Sequence, residues 1–130
     1  KSEMCMKLHD YEIEKEVIGL LLESEELKVL VEDKIFPVYI EEGTTGDAVY
    51  YDGEMGEPIT CKMGNVTNTM HFYACAVSNA MDNSNKIIGI IQDILEGEFN
   101  NPWMHIQAVG TIKERSDSKY AKTIDFLIEW

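Results

Sequence analysis

An α+β fold, with an antiparallel or mixed β-sheet and two main α-helices packed on one face, is predicted by three patterns in the chain. Two segments, about Asp10 to Glu23 and Asp82 to Glu96, carry apolar residues at helical spacing. β-Prone runs follow one another without intervening helices, which argues against a parallel sheet with alternating crossovers. The last two runs flank the turn Ser116-Asp117-Ser118-Lys119 and read as a terminal β-hairpin.

Taken in order, Asp10 can accept hydrogen bonds from the free amides of a first helical turn. Ile13, Val17, Leu20 and Leu21 then form the apolar stripe, while Glu12, Glu14, Lys15, Glu16 and Glu23 form the solvated face. Ser24 restarts a short helix carrying Leu27, Leu30 and Val31, which ends at Asp33 and Lys34. Ile35 to Ile40 is β-prone, but Pro37 lacks an amide hydrogen, so the segment is expected at a sheet edge. Glu41 to Gly46 reads as a loop, Ala48 to Tyr51 as a strand, and Asp52 to Pro58, with Gly53 and Gly56, as another loop. Ile59 to Met63 is expected as one arm of a small hairpin turning near Gly64-Asn65. From Thr69 to Val77, Met70, Phe72, Ala74 and Ala76 alternate with His71, Tyr73, Cys75 and Val77, the pattern of a strand covered at least partly on both faces. The second main helix is capped by Asp82 or Ser84 and ends at Gly97, with Ile87, Ile88, Ile91, Ile94 and Leu95 as its stripe. A strand from about Trp103 to Lys113 and a last one from Tyr120 complete the order.

The 130 residues are expected to form a single domain, 1–130, since apolar residues are spread along the whole length without linker or repeat. Residues 1–8 have no apolar signal region, and Lys1 suggests a processed or engineered, flexible end. Val17 to Leu22 is far shorter than the ~18 to 20 apolar residues that span a bilayer, so no membrane partner is expected. Cys5, Cys61 and Cys75 form an odd set without metal-ligand spacing, which points to a reducing cytoplasm. Acidic side chains outnumber basic ones 24 to 11, a net charge of -13 that repels nucleic acid.

Chemistry-bearing motifs are missing from the sequence. His9, His71 and His105 are isolated from ligand-spaced neighbours, and Cys75 and His71 would stand about 13 Å apart along a strand, too far for a nucleophile and its base. The loop from Asp52 to Glu57 lacks the spacing of a calcium site, and Gly43-Thr44-Thr45-Gly46 lacks the lysine of a phosphate cradle. No catalytic residue, metal or cofactor is expected. The aromatic strand residues read as sheet packing.

Three stretches together resemble the siphophage and prophage tail-completion, or head-tail joining, proteins. The first helix leads through Leu27, Leu30 and Val31 to Asp33-Lys34-Ile35-Phe36-Pro37, similar to that family's apolar helix ending in a basic residue, Ile, Phe or Tyr, and Pro. Ala48-Val49-Tyr50-Tyr51 is similar to its aromatic strand, and the Phe72 to Val77 strand runs straight into the Ile87 to Leu95 helix, followed by a terminal hairpin. Asp47 or Gly46 stands where the family commonly has a proline, and the region from Asp52 to Asn68 is longer than the family pattern. The resemblance implies a non-enzymatic component that forms a homo-oligomeric ring, often a hexamer, between tail tube and head connector. Such a protein resides in the bacterial host cytoplasm during assembly and then in the virion tail. Pro37, Tyr39, Glu41, Glu42, Asp52, Glu54, Met55 and Glu57, from the edge segment and the two acidic loops, are the expected interface residues. The alternative is an acidic immunity or inhibitor protein that blocks a basic toxin by charge complementarity.

Overall fold

A computed structural model describes residues 8–37, 46–60, 64, 66–116 and 119–130. Helix α1 (Asp10–Leu22) buries Ile13, Val17 and Leu21, which lie four residues apart on one face. Sequence reasoning assigns its cap to Asp10, but the cap is His9. The Glu12 carboxylate accepts the His9 backbone N–H at 2.9 Å, leaving Asp10 inside the first turn where its charge suits the helix dipole. Helix α2 (Glu25–Val31) starts as expected, with the Ser24 hydroxyl accepting the Leu27 N–H at 3.2 Å.

Strand β1 (Ile35–Pro37) lies at an edge of the sheet and runs parallel to β2 (Ala48–Met55). Residues 38–45, including the expected interface residues Tyr39, Glu41 and Glu42, lie outside the described residues. The loop expected from Asp52 is corrected: β2 continues through Asp52-Gly53-Glu54-Met55, paired antiparallel with Met70 to Tyr73. Gly53 does not signal a turn here. A β-carbon on it would run into the Glu14 carboxylate of α1 and the tip of Met70, so the glycine permits the helix to pack close to the strand.

Of the expected small hairpin, β3 (Ile59–Thr60) pairs antiparallel with β4 (Val66–Thr67), while residues 61–63 and 65, which include most of the expected arm and part of its turn, lie outside the described residues. Strand β5 (Thr69–Ser78) alternates buried and half-buried residues as its sequence predicts. Helix α3 (Met81–Leu95) follows, capped neither by Asp82 nor by Ser84 but starting from Ala80 without a side-chain cap. Its entry is set by Ser78, whose hydroxyl accepts the Ala80 N–H at 3.2 Å and donates to Asp47 at 2.7 Å. Ser84 is instead fully buried and donates to the Tyr120 carbonyl at 3.1 Å, tying the helix to the sheet. Gly97, with φ +140, turns the chain into β6 (Gly97–Phe99), a strand too short to leave a periodic pattern. Strands β7 (Met104–Ser116) and β8 (Lys119–Glu129) form the terminal hairpin.

The main sheet has the order β1-β2-β5-β8-β7-β6 and is antiparallel except for β1 against β2. Register sets Val49, Phe72, Ala74, Phe126, Ile124 and Ile106 on one face, where they share a core with the helix residues Ile13, Val17, Leu27, Ile87 and Ile91. This is the α+β architecture the sequence predicts. Among the described residues, no helix is long and apolar enough to cross a membrane.

Candidate functional site

With the helices on one face, no helix or strand among the described residues packs over the opposite face of the sheet. Period-two alternation brings Phe36, Tyr50, Asp52, Glu54, His71, Tyr73, Cys75, Asp125 and Thr123 onto it from four neighbouring strands. His71 Nδ1 lies 2.8 Å from an Asp125 carboxylate oxygen, and its ring stacks on Tyr73 at 6.0 Å. Sequence separation hides this pair: the two residues are 54 positions apart, and only the β5–β8 register brings them together. Burial pushes the Tyr73 hydroxyl above its ordinary range, and the negative charges of Asp125, Glu54 and Asp52 push it the same way. The Cys75 thiol is pushed up too, chiefly by burial, which makes it a poor nucleophile.

Beside Tyr50, Tyr51, Asp52, Tyr73 and Cys75 is a shallow hollow of about 240 Å³, and another of about 160 Å³ lies between Tyr73 and Ile112. Both fall short of the roughly 300 to 1,000 Å³ of a small-molecule site. Among the described residues, no group of three or more His, Cys, Asp or Glu is placed to hold a metal ion, and the one hydrogen bond of the His71 ring is to Asp125. The face presents the rings of Phe36, Tyr50 and Tyr73 beside the carboxylates of Asp52, Glu54 and Asp125, a mixture of aromatic and polar groups of the kind found at protein interfaces.

Of the expected interface residues, the structure gathers Pro37, Asp52, Glu54, Met55 and Glu57 along the β1–β2 side of the sheet. Pro37 is exposed at the edge in register with Tyr51. Asp52 and Glu54 point to the face opposite the helices, Met55 is 60% exposed at the far end of β2, and Glu57 follows it. The Thr69 hydroxyl donates to the Glu57 carbonyl at 2.7 Å, fixing that segment against β5.

Behind Gly53, the Glu14 carboxyl is held above its ordinary pKa by burial first, then by the charges of Asp52 and Asp10. An acid with a raised folded-state pKa destabilises the native state once pH rises through that pKa, and makes no difference when both states are protonated. Glu14→Gln is therefore expected to raise the melting temperature at pH 7 and to leave it nearly unchanged at pH 3.5. Thermal melts at the two pH values check this.

No protein-family model matches the chain, and no curated protein does. Among solved structures, a chain from the virion of a native gene transfer agent particle has a similar fold, with a TM-score of 0.72 at 12% identity. The likeness covers 87% of this chain and 90% of that one, so it extends over the sheet and its helices rather than one motif.

Proposed function

We propose that this protein is a non-enzymatic structural component of a phage or prophage tail, completing the tail at its head-proximal end and joining it to the head connector through a ring of its own subunits. The observation that carries the reading is the near full-length likeness to a chain of a gene transfer agent virion, a particle built from assembled proteins. The helix-to-proline stretch ending in Ile35-Phe36-Pro37, and the Phe72 to Val77 strand feeding the isoleucine-rich helix, are the sequence features that support the narrower tail-completion reading. The sheet face opposite the helices and the acidic β1–β2 side provide area for partners, with Pro37, Tyr39, Glu41, Glu42, Asp52, Glu54, Met55 and Glu57 as the proposed contacts to neighbouring subunits, tail tube and connector.

Mass in solution tests the ring. Subunits with a net charge of -13 repel one another at long range, and the screening length falls from about 30 Å at 0.01 M salt to about 8 Å at 0.15 M. Light scattering across that range should show a mass rising from monomer towards a closed multiple of it. A chain that stays monomeric at every concentration and ionic strength instead fits the acidic inhibitor of a basic partner.

A further inference from the structure

Charge is distributed unevenly in this fold. Residues 113–122 carry Lys113, Arg115, Lys119 and Lys122 against Glu114 and Asp117, a net +2, while the other 120 residues carry seven basic and twenty-two acidic side chains, a net -15. Lys113 and Arg115 are at the end of β7, and Lys119 and Lys122 at the start of β8. β6 pairs with β7 only at Met104 to Ile106, and the Glu96 carboxylate accepts the Ala108 N–H at 3.1 Å where that pairing stops. From Val109 to Arg115 no strand among the described residues covers the outer edge of β7, and Val109 and Ile112 are 46% and 63% exposed beside it. A long uncovered strand edge is a template for association.

Lys113 and Lys122 stand directly opposite one another across β7 and β8, an arrangement that is repulsive unless a third group neutralises it. Among the described residues, no carboxylate lies within ion-pair distance of Lys113, Arg115 or Lys122; Arg115 lies over the Tyr120 ring at 5.5 Å. The carboxylates that complement them, Asp52 and Glu54 with Glu14 behind, are on the opposite side of the sheet. Three inter-strand steps of about 4.8 Å separate β2 from β7, so the two sides of one molecule are at least about 14 Å apart and do not neutralise each other.

We propose that the basic β7 edge, Lys113 and Arg115 with Lys122 beside it, docks against the acidic Asp52–Glu54 end of β2 in a second copy of this chain. The two surfaces differ and lie on opposite sides of one sheet, so each copy offers one to each neighbour. Such a head-to-tail contact repeats, and it forms a ring when the rotation closes. The inference rests on the ring reading above and assigns the surfaces that make the ring.

A charge-swap series tests it, with circular dichroism confirming that each variant is folded. Lys113→Glu with Lys122→Glu should weaken self-association at least tenfold at 0.15 M salt, as should Asp52→Lys with Glu54→Lys. A chain carrying all four changes should recover it, because the swapped surfaces are again complementary. Unchanged association in the two pair variants, or no recovery in the quadruple variant, overturns the proposal. So does a basic-edge variant that self-associates normally but loses binding to double-stranded DNA. A wild-type ring that survives the swaps discards the assigned surfaces alone, whereas a wild-type chain that never associates removes the ring reading itself.

Discussion

Phe126→Ala is expected to destabilise the protein by about 3–5 kcal/mol, the range for removing a fully buried aromatic ring from a packed core. Phe126 and Phe72 are directly opposite across the two central strands, both without solvent exposure, and the helix-facing side of the sheet closes over them. Alanine at 126 leaves a cavity at the sheet's centre, where neither strand can shift without breaking its ladder on both sides. At this chain length the loss corresponds to on the order of 10 °C or more in melting temperature. Phe126→Leu retains most of the volume and should cost much less. Chemical denaturation of the two variants checks the contrast, and equal losses would show that ring volume is not what the core requires.

Ser78→Ala carries the second largest expected effect, about 1.5–3 kcal/mol. The hydroxyl is buried, donates to the Asp47 carboxylate at 2.7 Å and accepts the Ala80 N–H at 3.2 Å, so one atom joins the turn before β2 to the start of α3. Hydrogen bonds to charged groups contribute roughly twice as much as neutral ones, and the variant also strands an amide at the entry of a helix that has no side-chain cap. Asp47→Asn keeps an acceptor oxygen and should retain part of the stability. Denaturant melts that place Ser78→Ala within 0.5 kcal/mol of wild type would show that solvent replaces the bridge.

Most elements of the fold are legible in the sequence because their causes are local. Pro37 cannot donate to a ladder and sits on an edge strand; Met70, Phe72, Ala74 and Ala76 alternate with half-buried residues along β5; of the α3 stripe, Ile87, Ile88, Ile91 and Leu95 are buried where the period places them, while Ile94 is half-buried and Ile90, outside the expected stripe, is buried. What escapes sequence reading has non-local causes. Gly53 looks like a loop residue until α1 is seen passing over it. Ser84 looks like a cap until its hydroxyl is found bonded to a strand thirty-six residues away. β6 exists because β7 offers it an edge, a fact absent from the three residues themselves. Of the candidate interface, the acidic residues and the proline can be picked out from sequence. The basic edge cannot, because Lys113 and Lys122 become one patch only when the hairpin pairs them.

The claim that this chain closes a tail at its head-proximal end is tested most directly by mixing it with cognate tail tubes and imaging them by electron microscopy. The account predicts a disc of density one subunit ring thick on a single end of each tube, and attachment of purified connectors only to tubes that carry it. Bare tube ends at saturating protein, with connectors attaching equally well in its absence, would contradict it.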